Sequence, residues 1–347
     1  MIEKIRKVAV VGTGFAGLSL GFQLTKLGIY PDFYEDPSLP AASLIATGLL
    51  HLFHGAQARI PPLGQEAMQE SLAQLEQLGS FTSYAQKITL VRPALNKMQE
   101  STFAKQAKRY PEQASYKNLP WDPQQYGLWI DHAYWVNSAL YLQCLRAYLE
   151  KHGCNFKKQR VYLPDLENLY DQAAFACGYG SLLIEEIRDK NLESHLTRGQ
   201  LGYISIEKPP QFALNGKTYL IPRSMSQEGS FWVFGSTFEK LPLDSVFDGQ
   251  TYDLQARLKL IEQTQELWPF INVEKASWDL GYRLAGPNHL PWIGQLSEKS
   301  YAFTGLGSKG LLYSAYLAKK LASCMHSQKP FEYFHLESSS SKKLPKA

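Results

Sequence analysis

Three hydrophobic rhythms follow one another along this chain. Val8 to Val11 is an unbroken apolar run, the pattern of a strand buried on both faces. Gly12 to Gly17 forms a glycine-rich turn. Apolar positions at Leu20, Leu24 and Leu27 then predict a helix over Ala16 to Leu27, with Gly28 placed to cap it. Pro31 to Glu35 reads as a second short strand. Propensity and spacing predict helices over Gln65 to Leu78 and Ser138 to Gly153. Asp171 to Gly178 reads as a strand running into a glycine turn. From Arg198 to Phe247 the rhythm changes to short alternating runs, GYISIE, KTYLIP and SFWVFGSTF, separated by Gly, Pro and Asn; these predict an antiparallel sheet. Helical spacing returns from Leu254 to Leu267. Ser300 to Thr304 is a strand, Gly305 to Gly310 a second glycine turn, and Leu311 to about Met325 a helix. Asn96 to Asn118 is polar and Lys-rich and reads as a surface excursion. The tail, with Ser338 to Ser341, Lys342 and Lys343, carries no apolar pattern and is expected to be disordered.

The chain thus starts and ends with strand, glycine turn and helix, and places an antiparallel sheet between. That order predicts a nucleotide domain assembled from separated segments, with a substrate domain inserted. The first turn carries its own chemistry. A helix N-terminus offers unpaired N–H groups and the positive end of its dipole to a pyrophosphate. Gly12 permits the tight turn, Gly14 lets backbone approach phosphate, and Gly17 lets helix pack on strand. Glu35 follows Gly12 by 35 − 12 = 23 positions, near the roughly 20 at which an acid meets ribose hydroxyls. An acid there disfavours a 2′-phosphate, and so NADP. The motif alone does not separate FAD from NAD.

Composition narrows the picture. With 347 residues, 44% of them hydrophobic, the chain has room for two domains. Lys and Arg number 36 against 32 Asp and Glu, a net +4 that demands no polyanionic partner, though a local patch could meet one. Cys144, Cys154, Cys177 and Cys324 form no C-x-x-C pair, and no His or Cys cluster has metal-ligand spacing, so no metal is expected. A reduced, cytoplasmic chain is the expectation. Met1 to Lys7 mimics the start of a signal peptide, but Gly12, Gly14 and Gly17 break the apolar stretch that follows. No segment reaches the roughly 20 apolar residues of a membrane helix, so a soluble protein with no membrane partner is expected. Oligomeric state is not readable.

Beyond the first turn, the chain resembles the D-amino acid oxidase and glycine oxidase family of FAD-dependent oxidoreductases, from Val8 to about Ala322. Ala42-Ser43, then Thr47-Gly48-Leu49-Leu50, is similar to that family's segment beside the flavin ring, with Leu44 in place of the usual glycine. Gly127-Leu128-Trp129-Ile130 and Trp135-Val136-Asn137 match the segment returning to the FAD domain. Val161 falls where the family contacts adenine. Gly281-Tyr282-Arg283 with His289-Leu290-Pro291-Trp292-Ile293-Gly294, and Thr304-Gly305-Leu306-Gly307-Ser308-Lys309-Gly310, resemble the closing flavin-binding segments; Asn288 stands where the nearest relatives carry an acid. Arg198-Gly199-Gln200 and Gly305-Leu306-Gly307-Ser308 resemble the oxidoreductase half of the bifunctional enzymes that finish 5-methylaminomethyl-2-thiouridine in tRNA. Lys309 replaces an arginine usual in that subgroup.

The resemblance implies an α/β fold: a GR2-type Rossmann-like FAD-binding domain over 1–78, 128–198 and 276–330, and an antiparallel β-sheet substrate domain over 79–127 and 199–275. Residues 331–347 form the tail. It implies FAD contacts at Gly12, Thr13, Gly14, Phe15, Ala16, Gly17, Glu35, Asp36, Ser43, Thr47, Gly48, Leu49, Val161, Gly178, Gly305, Gly307, Ser308, Lys309, Gly310 and Leu311. Backbone N–H groups at the second turn would stabilise negative charge at the flavin N1/C2=O edge. No cysteine lies between Trp278 and Gly294, where sarcosine oxidases tether their flavin, so non-covalent FAD is expected. The implied reaction is oxidation of an amine or amino acid, with hydride passing to flavin N5. Arg283 would hold a substrate carboxylate with its bidentate fork, and Tyr219 would point into the pocket. Lys309 is a candidate second anion contact. His51, His54 and His289 invite a general-base role, but hydride transfer needs positioning more than a base. Cys177 reads as packing. The alternative substrate is modified tRNA, for which Lys97, Lys105, Lys108 and Arg109, or Lys157, Lys158 and Arg160, would form one basic face at the pocket mouth.

Overall fold

The computed structural model describes residues 7–79, 81–190, 193–224, 231–243, 252–273, 275–327 and 334–335. In chain order the N-terminal half runs β1 (Val8–Val11), α1 (Phe15–Lys26), β2 (Asp32–Glu35), β3 (Leu49–Leu50), α2 (Gly64–Gln77), α3 (Phe81–Tyr84), β4 (Ala85–Pro93), α4 (Lys97–Arg109), β5 (Ala114–Leu119), β6 (Asp122–Val136) and α5 (Ser138–Lys151). Then follow β7 (Asn155–Lys158), α6 (Leu163–Leu169), β8 (Gln172–Phe175), α7 (Glu185–Arg188), β9 (His195–Ser205), β10 (Ala213–Asn215), β11 (Tyr219–Ser224), β12 (Phe231–Gly235) and β13 (Glu239–Leu241). The chain closes with α8 (Leu254–Leu267), β14 (Ser277–Ala285), β15 (Trp292–Gln295), β16 (Ser300–Thr304), α9 (Gly310–Ser327) and β17 (Phe334–His335).

Two sheets organise these elements, in agreement with the expected fold class. The first has the order β17-β15-β16-β8-β1-β2-β7, parallel through its centre. Val8, Ala9 and Val10 are buried at that centre, as their unbroken apolar run requires. Helix α1 is buried on nearly every side, between this sheet and helices α9 and α5. Leu20 and Leu24 are fully buried; each is worth about 1.5–3 kcal/mol, which anchors the helix whose first turn faces the site. The second sheet has the order β13-β9-β12-β11-β10-β4-β6-β3, with β14 paired to β9 and β5 to β6. Its pairings are antiparallel except β10 with β4.

Four expectations need correction or placement. Asn96 to Asn118 lies largely at the surface, as expected, and folds there as helix α4 and strand β5. Asn96 caps that helix by accepting from the Gln99 N–H at 3.0 Å, and only Gln99 and Phe103 are buried, a stripe too sparse to read as amphipathic. The boundaries at 127/128 and 198/199 fall inside the continuous strands β6 and β9. Strand β14, placed with the first domain, pairs along its length with β9 of the second sheet. Local pattern marks where strands are, whereas long-range pairing decides which sheet they join. Within the expected tail, Phe334–His335 pairs with β15; the rest of 331–347 lies outside the described residues, as do 225–230 and 244–251 of the alternating region.

Candidate functional site

A cavity of about 980 Å³ runs between the sheets, from the end of β2 to the face of β9, β11 and β14. Its first wall is the glycine turn after β1. Gly12 has φ +107°, and its N–H donates to Tyr34 O at 2.7 Å. A Cβ on Gly17 would stand 1.9 Å from Gly12 O, and one on Gly14 2.9 Å from Ser43 Oγ. No side chain caps α1, so the first-turn N–H groups at Phe15, Ala16 and Gly17 are left for a ligand. A slot lined by backbone donors, with no side chain filling it, fits a pyrophosphate.

At one end of the cavity the Glu35 carboxylate accepts from Thr13 Oγ1 at 2.9 Å and pairs with Arg146 at 3.2 Å. A carboxylate has about four acceptor positions, so capacity for ribose hydroxyls remains. Arg146 carries no local sequence signal for this role: it lies on α5, 111 residues from Glu35. Asp36 accepts from Ser38 and faces Arg160 at 3.6 Å. Val161 and Gly178 line the same end.

At the other end, Ser43, Thr47, Gly48 and Leu49 line the wall leading to β3. Gly48 is obligatory there: with φ +70°, its Cβ would lie 1.6 Å from Val136 O. The second glycine turn closes the cavity, with Gly305 at φ +72° and Gly307 at φ +53°. Gly305, Gly307, Ser308, Gly310 and Leu311 all line it, and α9 starts there. Two expected contacts do not line the cavity: Gly17, which packs beneath the turn, and Lys309, whose ammonium donates to His289 O at 2.6 Å.

Arg283 and Tyr219 meet on the face of the second sheet. Arg283 Nη2 donates to Ser236 Oγ at 3.1 Å, and the Tyr219 hydroxyl hydrogen-bonds with Ser236 and Thr47. Burial lowers the Arg283 pKa and raises that of Tyr219. Among the described residues Arg283 has no carboxylate partner. A cation held in a cavity wall without a counter-ion is a binding element for an anion. Ser236 was not foreseen; nothing in its local sequence marks it.

His51 and His54 also line the cavity, their rings stacked at 4.5 Å. Burial, then the nearby charge of Lys309, holds His54 down to about 3, and burial holds His51 well below its usual value. Both are neutral, and His54 Nε2 donates to His51 O at 2.7 Å. Arg92, which donates to Phe53 O and Gly55 O at 2.7 Å each, ties down the loop that carries them. Cys177 lines the cavity rather than only packing, and burial pushes its thiol up to about 12. His289 stacks on His195 at 4.6 Å, outside the cavity lining. Among the described residues no group of His, Cys, Asp and Glu is arranged to hold a metal, and no helix is long and apolar enough to cross a membrane.

Comparison with known proteins gives the family and the fold. The sequence profile of the DAO family, FAD dependent oxidoreductases, matches residues 7–324. The chain is 30% identical over 169 residues to the tRNA 5-methylaminomethyl-2-thiouridine biosynthesis bifunctional protein of Polaromonas naphthalenivorans, a match covering 44% of this chain and 26% of that protein. The match therefore takes in well under half of that relative's length. In structure it is similar to glycine oxidase from Geobacillus kaustophilus, with a TM-score of 0.76 at 18% identity, covering 95% of this chain and 96% of that one. Iminodiacetate oxidase from Chelativorans sp. BNC1 gives 0.74 at 15% identity, covering 94% and 96%. At such identities the likeness is one of fold.

Proposed function

Because this chain belongs to the DAO family of FAD-dependent oxidoreductases, we propose that it oxidises the C–N bond of an amine that carries a carboxylate, such as an amino acid. The observation that carries this reading is Arg283, a cavity-lining guanidinium with a hydroxyl partner and, among the described residues, no carboxylate partner.

The glycine turn at Gly12, Gly14 and Gly17 would hold the FAD pyrophosphate through N–H groups at the start of α1. Glu35, kept in place by Thr13 and Arg146, would accept the ribose hydroxyls, with Asp36, Val161 and Gly178 near the adenosine. Ser43, Thr47, Gly48 and Leu49, with Gly305, Gly307, Ser308, Gly310 and Leu311, would enclose the ring system. Bound FAD supplies the two-electron acceptor. Arg283 would fix the substrate carboxylate, so that the bond to be broken is presented in one orientation. Tyr219, joined to Thr47 and Ser236, would close the pocket beside it. Neutral His51 and His54 add no cation that would repel a protonated amine.

A second reading, modified tRNA bearing a carboxymethylaminomethyl group, draws on the matched Polaromonas protein, whose name describes tRNA 5-methylaminomethyl-2-thiouridine biosynthesis. The same Arg283 would hold that carboxylate. Of the two basic sets, Lys158 and Arg160 line the cavity, whereas none of Lys97, Lys105, Lys108 and Arg109 does. Lys97, Lys105, Lys108 and Arg109 ride on α4 against the second sheet, while Lys157 and Lys158 lie on β7 at the edge of the first. Lys157 pairs with Asp32 at 2.8 Å and Arg160 faces Asp36. The small-molecule reading is therefore preferred. Anaerobic reduction of the FAD-loaded protein by a panel of amino acids, and by tRNA carrying the modified uridine, separates the two. Bleaching by tRNA alone would replace the first reading with the second, and no bleaching by any amine would end both.

A further inference from the structure

The run Arg198-Gly199-Gln200 has no part in the site as described, yet it lies directly behind Arg283. On β9, Gly199 stands opposite Gly281 of β14, and Thr197 opposite Arg283. A Cβ on Gly199 would stand 3.0 Å from Arg283 Nη2 and 3.5 Å from the Ser236 Cβ. Gly199 is thus a slot into which the guanidinium folds.

The residues on either side of that slot hold its far wall. Gln200 is fully buried. Its backbone N–H donates to Thr237 Oγ1 at 2.8 Å and its O accepts from the Thr237 N–H at 3.2 Å. Thr237 Oγ1 in turn donates to Glu239 Oε1 at 2.7 Å. The Gln200 amide donates to Glu239 Oε1 at 2.9 Å and to Asp253 O at 3.1 Å, and accepts from Arg257 Nε at 2.8 Å. Arg198 completes the set, with Nε donating to Glu239 Oε2 at 2.7 Å. Both polar atoms of the Gln200 side chain are hydrogen-bonded, and Glu239 accepts from three residues. Buried polar networks of this kind fix geometry when every member is satisfied.

The geometry points to Glu239 as a positioning residue for the anion site: with Arg198 and Gln200 it clamps the link between β12 and β13 at Ser236–Thr237, and with the Gly199 slot it sets where the Arg283 guanidinium points. This rests on the reading of Arg283 as the carboxylate contact. Ser236, one residue before the clamped Thr237, is the only side chain described as hydrogen-bonded to Arg283. Release of that link would free the Ser236 hydroxyl without touching the FAD turns.

Glycolate, a carboxylate with no amine to oxidise, is the probe, and its binding is followed by the flavin absorbance of the FAD-loaded protein. Gly199→Ala and Glu239→Gln should each weaken glycolate by about tenfold, which is about 1.4 kcal/mol, with FAD affinity near that of the parent. Glu239→Asp, which keeps the charge, should recover part of the loss. Arg283→Met should abolish the spectral change. Parental glycolate affinity in both Gly199→Ala and Glu239→Gln, with Arg283→Met inactive, would overturn the clamp and leave the anion site standing. Glycolate binding that survives Arg283→Met would overturn both. Loss of FAD together with glycolate in both variants would mark the network as support for the fold alone.

Discussion

Replacing Gly17 by alanine puts the cofactor cradle to a quantitative test. The added Cβ would sit 1.9 Å from the carbonyl oxygen of Gly12 and 2.9 Å from its carbon. Ordinary C···O contacts begin near 3.3 Å, so α1 and the turn must part by roughly 1.4 Å. The obstructing atoms are backbone, so no side-chain rotation relieves them. Hydrogen bonds to a phosphate hold only within about half an ångström of their optimum, and each charge-assisted bond lost costs about 1.5–3 kcal/mol. Gly17→Ala should therefore weaken FAD binding by about ten- to a hundredfold for each donor displaced. Quenching of tryptophan fluorescence during titration of FAD into apoprotein measures it. Gly28→Ala is the control: φ is +74° with nothing within 4 Å of the new Cβ, so left-handed strain of about 1–2 kcal/mol should lower the melting temperature alone. Parental FAD affinity in Gly17→Ala, or an equal loss in Gly28→Ala, would refute the reasoning.

Two further outcomes follow from the buried groups around the cavity. His54 is held down to about 3 by burial and Lys309, and His51 well below 6.5 by burial and its neighbours; in the unfolded chain both take up protons below about 6.5. Stability is then complete above pH 6.5 and falls as pH drops toward 3, by up to about 1.4 kcal/mol per unit per histidine. Melting temperature measured from pH 7 to 5 should decline less in His51→Asn/His54→Asn than in the parent, and parallel curves would contradict it. Among the described cysteines only Cys177 lines the cavity, with its thiol pushed up to about 12 by burial, so acid precipitation should release all flavin to the supernatant; flavin in the pellet would show a covalent link.

Legibility in the sequence followed the range of the interactions. The first turn could be read because Gly12, Gly14, Gly17 and Glu35 act within one β-α-β unit, where spacing encodes geometry. Helix α8 was expected at its observed limits, Leu254–Leu267, because Asp253 caps it locally and its apolar spacing is regular. Sheet membership was not readable: β9 and β14 are joined by pairing between residues some 80 positions apart, such as Arg283 with Thr197. The anion site divides in the same way. Arg283 was visible through its resemblance to a family segment, whereas Ser236, Gly199 and Glu239 gain meaning only once β9, β12 and β14 are adjacent. Lys309 shows the converse. It sits in a recognisable turn, but its side chain turns to His289 O, a choice set by a carbonyl 20 residues away.

The proposal that Arg283 makes this protein an oxidoreductase for carboxylate-bearing amines is tested most directly by a matched pair of substrates. N-Methylglycine and dimethylamine differ by a single carboxylate on a secondary amine. Flavin absorbance of the FAD-loaded protein, mixed anaerobically with each, should bleach with N-methylglycine or another N-substituted amino acid and stay oxidised with the matching plain amine. Arg283→Met should lose the difference. Equal bleaching by both members of every pair, or bleaching that persists unchanged in Arg283→Met, would contradict it.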